Sequence, residues 1–479
     1  VVGRRHGLSD NKIKMLVYKF SSQDPNFNDE MFESKDWPHL LKCAETYRYF
    51  SIENLYVYAN AIDEKRTKAI KNRVCRASFK KIFKFNADKD VAEHLYNLYG
   101  GSMICINPKT KEWLYFPTVN EAYRKADEYN TERKMIWDSS INGQCLSEKI
   151  NDLYNEVVNY YEKTMNEIKD RYLQSQGDFT SSTESPDKSE SESETTNKKR
   201  RKRKEFTLED IEMMEKLKND PMLKRIWQMV KKLGDNNPRS GILNVCGTRF
   251  YNRSIVEKMN ENKNVICFNN GYYDLTDMTF KDPDPLIYSS FTTGFDYEDY
   301  SDDERIMEFP LINDNNKIIK KTCGEIKQEI SDYMKTIFTD EDDELYMWKF
   351  CASLLSGQIT DESFYIWTGK GSNGKSLFND FLKNSLGDYY STASASLLVM
   401  KRNASNAASP EIANKKGRRV IVINEPEETD IIYAGKMKEL TGGDSIEARG
   451  LYQEPITFKP QFRIVMICNN KPNISGLDN

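Results

Sequence analysis

The chain has 479 residues, of which 38% are hydrophobic and 30% are charged, and its mean hydropathy is −0.73. This length predicts about three domains. No run approaches the roughly 18 apolar residues of a membrane-spanning helix, so no membrane partner is expected. The net charge of −4 is small, so any contact with nucleic acid must come from local basic surfaces.

The cysteine and histidine patterns exclude two further classes. The nine cysteines never approach C-x-x-C spacing and there are three histidines, so neither a zinc site nor a disulfide framework is expected. This usage fits a reducing, intracellular compartment, which for a viral protein would be the host cytoplasm or nucleus.

The first 205 residues divide by composition. Residues 1–75 are predicted to form a helical module, and residues 76–174 a mixed α/β module with a hairpin between "MICI" and "EWLYF". Residues 175–205 are rich in Ser and Glu and then basic, and are predicted to be disordered. Their basic run, 198–204, is interpreted as a solvated tether, a contact to DNA phosphates or a nuclear-import address.

Residues 206–325 are predicted to contain a helix, "LEDIEMMEKLK", and a hairpin in "VICFNNGYYDLTDMTF". The Asn270-Gly271 pair between apolar runs indicates its tight turn. An acidic, polar stretch near 296–316 precedes two amphipathic helices, "IKQEISDYMKTIF" and "DELYMWKFCASLLSG". From residue 326 to 479 the pattern predicts helices followed by an α/β nucleotide-binding domain.

The stretch "FYIWTGKGSNGKSLFNDFL" has the spacing of a phosphate-binding loop between a strand and a helix. Its predicted nucleotide-binding residues are Gly369, Lys370, Gly371, Ser372, Asn373, Gly374, Lys375, Ser376 and Leu377. Glycines let backbone N–H groups surround a phosphate at the positive end of the helix. Lys375 would reach the terminal phosphates, and the Ser376 hydroxyl would bind Mg²⁺.

Two later strands supply polar residues. Val420–Ile423 is a predicted buried strand followed by Glu425, Glu427 and Glu428, and a carboxylate there could orient attacking water or hold Mg²⁺. A surface turn is the alternative. A third predicted strand, 462–468, ends at Asn469, whose amide could bond the γ-phosphate or the water, or simply form a turn.

A hairpin is predicted between these strands, in "KMKELTGGDSIEARGLYQEPITFKP". Arg449 could bind a phosphate of a nucleic acid, and Leu451 or Tyr452 could contact a base or sugar. A hairpin that only packs against its neighbours is the alternative.

In order and spacing these segments resemble the superfamily 3 helicases of the AAA+ class, in particular the poxvirus-type primase-helicases of large DNA viruses, phages and plasmids. The resemblance implies an α/β fold, an AAA+ P-loop domain with an inserted DNA-binding hairpin, over 326–479. Mixed α/β and helical accessory domains would precede it. Residues 76–174 and 206–325 look like the family's helicase-preceding domain, and 1–75 like the module that follows a primase domain.

The resemblance also implies residue roles. Lys375, Glu425 and Asn469 would be catalytic, with Ser376 and Glu425 at the Mg²⁺ of a bound ATP. Lys438 and the loop with Arg449, Leu451 and Tyr452 would contact DNA. Asn424 stands where many relatives carry a second acid. The family's arginine finger would lie beyond Asn479 and its primase acids before Val1, so a C-terminally truncated chain is expected.

The resulting prediction is an ATP-dependent helicase that moves single-stranded or forked DNA through a ring of identical subunits, a hexamer by analogy. A primase domain upstream in a longer chain would be its covalent partner. The alternative is a nucleotide-switched DNA-binding or initiator protein that does not unwind processively. A small-molecule kinase fits less well, because of the acidic strand end and the inserted hairpin.

Overall fold

The computed structural model describes residues 14–15, 17–18, 29–31, 33–34, 38, 64–118, 121–122, 134–140, 143–177, 208–311, 314–369, 374–399, 409–423, 426, 430–450 and 455–475. These residues have a mixed α/β fold. Two compact units divide the chain: unit 1 is Val1–Leu114 with Ser139–Tyr251, and unit 2 is Tyr115–Asp138 with Asn252–Asn479. The basic run 198–204 and most of the predicted helical module 1–75 lie outside the described residues.

Unit 1 is mainly helical. After a three-residue helical segment, Asp29–Met31, its elements are α1 (Glu64–Phe85), α2 (Asp88–Tyr99), β1 (Met103–Asn107), β2 (Glu112–Tyr115), β3 (Asp138–Ser140), α3 (Gln144–Gly177), α4 (Leu208–Asn219), α5 (Pro221–Gly234) and α6 (Asn236–Phe250). The strands form one sheet in the order β1-β2-β3, and β1 and β2 are the predicted hairpin. Of the segment predicted to be disordered, residues 175–177 close α3, and the rest lies outside the described residues.

Aromatic contacts hold these helices together. Phe79 and Phe83 of α1 each lie 5.4 Å, between ring centroids, from Tyr160 of α3. Trp113 of β2 contacts Phe250 at the end of α6 in the same way, at 5.4 Å. Buried aromatic pairs add stability beyond their area, so one side of α1 is fixed against its neighbours.

Unit 2 begins with antiparallel strands and helices. Its first elements are α7 (Arg253–Lys258), β4 (Val265–Phe268), β5 (Gly271–Asp274), β6 (Thr279–Lys281), β7 (Ile306–Leu311), β8 (Asp314–Thr322), α8 (Cys323–Ile337) and α9 (Glu341–Ser353). The predicted amphipathic helices are confirmed as α8 and α9. Thr322 and Glu325 form a capping box that fixes the start of α8.

One detail of this region differs from the prediction, and one pair of strands was not predicted. The hairpin of β4 and β5 is present, but Phe268 pairs with Gly271, so its loop is Asn269-Asn270 and not Asn270-Gly271. The side chain of Asn270 accepts a hydrogen bond from Tyr297 N at 2.8 Å, which ties the loop to the following segment. The acidic stretch 296–316 contains strand β7 and the start of β8, because the two strands satisfy each other's backbone groups.

The remainder of unit 2 is built on a parallel sheet. Its elements are β9 (Phe364–Trp367), α10 (Lys375–Leu386), β10 (Tyr390–Ala393), α11 (Ser396–Val399), α12 (Pro410–Ala413), β11 (Val420–Ile423), β12 (Ile431–Tyr433), α13 (Ala434–Thr441), β13 (Ile446–Ala448), β14 (Ile456–Phe458), β15 (Arg463–Ile467) and β16 (Asn473–Ser475). Four strands form the sheet in the order β10-β11-β15-β9, all parallel. The predicted strands at 364–367, 420–423 and 462–468 are therefore confirmed, whereas β10 was missed.

Both faces of this sheet are covered. Val420 and Val422 of β11 pack with Phe378 of α10 on one face, and Ile421 and Ile423 pack on the other. All four β11 residues are buried, which explains why this strand is a continuous apolar run and does not alternate. The two covered faces leave the ends of the strands as the accessible parts of the sheet.

Candidate functional site

The carboxyl ends of three strands meet at one edge of the parallel sheet. Ile467 of β15 pairs with Trp367 of β9, and Met466 pairs with Ile423 of β11. The ladder continues one residue further, since Cys468 N donates to Trp367 O at 3.1 Å. In open parallel sheets ligands gather at this edge, so the residues that follow the strands form the candidate site.

Helix α10 begins beside this edge. Gly374 precedes it with φ +86°, in the left-handed region that favours glycine. A side chain there would also approach Ile337, with a Cβ at 3.4 Å from its side chain. The N–H groups of the first helical turn have no acceptors within the helix, and they carry the positive end of its dipole. The start of α10 therefore favours an anion.

The structure brings three of the predicted site residues together. Lys375 Nζ donates to Gly369 O at 2.7 Å and to Asn469 Oδ1 at 3.3 Å. Gly369 follows β9, Lys375 opens α10 and Asn469 follows β15, so three elements converge on one ammonium group. A phosphate oxygen is a stronger acceptor for an ammonium group than either neutral oxygen, so this donor set fits the terminal phosphates of a nucleotide.

Ser376 and Leu377 continue the first turn of α10, and both are exposed. A serine hydroxyl in this position is accessible to a metal ion, and hydroxyl and carboxylate oxygens suit Mg²⁺. The side chain of Leu377 is 61% exposed, so it does not contribute to the core of this unit.

Several predicted site residues lie outside the described residues. They are Lys370, Gly371, Ser372 and Asn373 of the loop, Glu425 after β11, and Leu451 and Tyr452 of the hairpin. Glu425 follows the last residue of β11 by two positions. The described end of β11, Ile423, lies at the edge that carries Gly369 and Asn469.

The other two predicted contacts to DNA are on separate elements. Lys438 is exposed on α13. Arg449 is exposed directly after β13, where its backbone O accepts from Ser409 N at 2.9 Å. Strands β13 and β14 pair antiparallel, with Ala448 opposite Ile456, so they form the predicted β-like runs on either side of residues 451–454.

Arginines at the opposite edge of the sheet have structural partners. Arg419, which is 1% exposed, bonds the side chain of Gln461 and donates to the backbone O of Val265 at 3.2 Å. Arg463 lies 3.5 Å from Asp361. Burial opposes ionisation of Asp361, but hydrogen bonds from Tyr365 and Ser363 and the charge of Arg463 together lower its pKa. Burial and the bond to Asp361 raise the pKa of Tyr365 to about 12.

A concentration of basic residues in α1 was not recognised from the sequence. This helix has nine lysines and arginines and one glutamate among its 22 residues. A count of charge along the predicted helices would have found it.

Two family models match the chain. The model of the D5 N-terminal-like family matches residues 92–334, just over half of the chain, and that of a family of unknown function (DUF5906) matches residues 367–479. The fold and site define a mixed α/β protein with a candidate anion site at the edge of a parallel sheet. The chain belongs to the D5 N-terminal-like family.

Curated relatives are viral proteins. "Putative helicase L207/L206" of Acanthamoeba polyphaga mimivirus is 35% identical over 274 residues, which are 57% of this chain and 26% of that protein. "Putative helicase 184R" of Invertebrate iridescent virus 6 is 30% identical over 265 residues, or 54% and 25% of the two chains. A "Putative primase" of African swine fever virus is 20% identical over 251 residues, or 52% and 24%. The chain spans about a quarter of the length of these relatives.

No helix within the described ranges is long and apolar enough to cross a membrane.

Proposed function

We propose that this chain is the ATP-hydrolysing helicase part of a viral replicative primase-helicase. Its ATPase would be of the superfamily 3 AAA+ class and would translocate on single-stranded or forked DNA as a hexameric ring. The viral relatives are named putative helicases and a putative primase, which supports an activity on DNA. The observation that carries the proposal is the contact of Lys375 Nζ with Asn469 Oδ1 at the carboxyl edge of the sheet. It joins Lys375, the motif residue that would bind phosphate, to Asn469, the predicted catalytic amide.

In this proposal the site residues divide the work of hydrolysis between them. Lys375 binds the terminal phosphates and stabilises the charge that develops on them. Asn469 orients the attacking water, and Glu425 takes its proton. Ser376 and Glu425 would hold Mg²⁺, and the bound ion would neutralise charge on the phosphates. The contacts to DNA would be made by Lys438, Arg449, Leu451 and Tyr452.

The first test is the substitution Lys375→Ala in the full chain. We expect ATP hydrolysis to fall by about a hundredfold or more, because a positioned charge on the reacting phosphate is lost. Lys383→Ala, an exposed residue in the last turn of the same helix, is the matched control and should hydrolyse normally. A steady-state phosphate-release assay measures both, and normal turnover in Lys375→Ala would exclude this site.

A second measurement separates the helicase from its alternative. A nucleotide-switched initiator would bind DNA in response to ATP without displacing a paired strand. The full-length protein should show hydrolysis stimulated by single strands and displacement of a labelled strand from a fork. In Glu425→Gln, ATP binding should persist while both activities fall, since the amide keeps the shape and loses the base.

A further inference from the structure

One face of α1 carries a row of positively charged side chains. At about 100° per residue, five basic positions fall within roughly 80° of each other on the helix surface. All five are exposed, and we call them the basic stripe: Arg66, Arg73, Arg76, Lys80 and Lys84. At about 1.5 Å per residue the stripe is roughly 27 Å long.

The opposite face of α1 is buried. Thr67, Ser78 and Ile82 are at most 8% exposed, where α1 packs against α2 and α5. A basic amphipathic helix on a membrane inserts its apolar face into the lipid. Here that face is occupied by the protein itself, so the stripe is a charged surface and not a lipid anchor.

The carboxylates of α2, which packs against α1, are already engaged in ion pairs. The three acids of α2 each pair with a base, at 2.7 to 2.8 Å: Asp88 with Lys232, Asp90 with Lys81, and Glu93 with Arg249. Within the ranges that the structure describes, Arg73, Arg76 and Lys80 form no ion pair. The positive charge of these three residues is therefore left to act on an external anion.

We propose that the basic stripe binds the sugar-phosphate backbone of duplex nucleic acid. A row of guanidinium and ammonium groups about 27 Å long can contact several phosphates in succession. Surfaces that bind single strands add several aromatic side chains on which successive bases stack. Of the aromatic residues of α1 only Phe85 is exposed, and Lys84 Nζ lies over its ring at 5.1 Å from the centroid. The inference rests on the proposed function in one respect, namely that the chain acts on DNA. It does not depend on ATP hydrolysis.

The experiment measures DNA binding by the full chain without nucleotide. A fluorescent duplex of about 20 base pairs, or two helical turns, is titrated at several KCl concentrations. In the triple variant Arg73→Glu, Arg76→Glu and Lys80→Glu, we expect at least roughly tenfold weaker binding. The slope of log K against log salt should fall by about 2 to 3, since each phosphate that the protein neutralises contributes about 0.9. Arg73→Lys with Arg76→Lys keeps the charge and should keep both values.

The control reverses the same amount of charge elsewhere. Lys335, Lys349 and Lys383 are exposed on α8, α9 and α10, and their joint change to Glu should leave duplex binding nearly unaltered. An equal loss of affinity in this control would overturn the proposal, because the effect would then come from overall charge.

Two further probes complete the test. A single strand of the same length should bind more weakly and be less affected by the triple variant, and equal behaviour would overturn the assignment to duplex. Vesicles of phosphatidylcholine and phosphatidylserine should not capture the chain, and stripe-dependent capture without an effect on DNA would overturn it. Because the assay contains no nucleotide, its result stands whether or not Lys375→Ala abolishes hydrolysis.

Discussion

His94 in α2 is a titratable side chain that is buried from solvent. Its side chain is buried, with Nδ1 2.9 Å from Ser78 Oγ and its ring 5.5 Å from that of Phe79. Burial disfavours the charged imidazolium and lowers the pKa of His94 to about 4. The unfolded chain would bind this proton near pH 6.5. Between these values the unfolded state holds more protons than the folded state.

Stability of the fold around His94 should therefore decrease as the pH is lowered. The contribution of His94 is fully present above about pH 6.5 and is lost as the pH falls towards 4, by roughly 3 kcal/mol at most. In His94→Gln this component should vanish, so urea unfolding between pH 7 and about 4.5 should show a smaller decrease in unfolding free energy than the unchanged chain. An identical decrease in both proteins would mean that other groups cause it.

Among single residues, the candidate site was easier to predict from the sequence than the surroundings of Arg418 and Arg419. Lys375 and Asn469 were found because each follows a recognisable strand or loop pattern, and the structure places them 3.3 Å apart. Arg418 and Arg419 resemble a free basic pair in the sequence. In the fold, Arg419 is buried against Gln461, and Arg418 lies over the ring of Phe291 at 4.3 Å. Long-range packing of this kind has no local signal.

At the scale of elements, the parallel sheet was predictable where its strands are apolar on both faces. Phe364–Trp367 and Val420–Ile423 are such runs. Tyr390–Ala393, "YSTA", was missed because two of its four residues are polar. The pair β7 and β8 was missed for a similar reason. Backbone pairing, and not the side-chain pattern, defines these strands.

The hairpin of β4 and β5 depends on a missing side chain. A Cβ on Gly271 would lie 2.4 Å from Lys281 O and 2.6 Å from the ring of Phe280, both on β6. Gly271 is therefore required for β6 to pack beside β5, and not for the turn between β4 and β5. We expect Gly271→Ala to destabilise the protein by about 1 to 3 kcal/mol, the usual cost of overpacking.

Gly435→Ala is the matched control for this substitution. Nothing lies within 4 Å of a Cβ at Gly435, which is inside α13, so alanine should be neutral or should stabilise the helix by up to about 1 kcal/mol. Urea unfolding of both variants measures the difference. Equal stability of Gly271→Ala and the unchanged chain would show that β6 can move away at little cost.

At the scale of the whole molecule, the net charge of −4 does not reveal that some local surfaces are positively charged. The basic stripe lies in unit 1, whereas Arg449 and Lys438 lie in unit 2. The overall composition could not reveal these surfaces, because a sum over the chain removes their positions. Phosphate contacts depend on the local positions of positive charge, so each surface is tested by itself.

The last prediction concerns coupling between DNA and hydrolysis in unit 2. Arg449 is exposed where β13 ends, and we expect Arg449→Ala to reduce DNA-stimulated ATP hydrolysis several-fold and to leave basal hydrolysis unchanged. The salt dependence of single-strand binding should flatten by about 0.7, because the variant neutralises one phosphate fewer. Lys459→Ala, at an exposed position just after β14, is the control and should behave as the unchanged chain. Unaltered single-strand affinity and stimulation in Arg449→Ala would favour a hairpin that only packs.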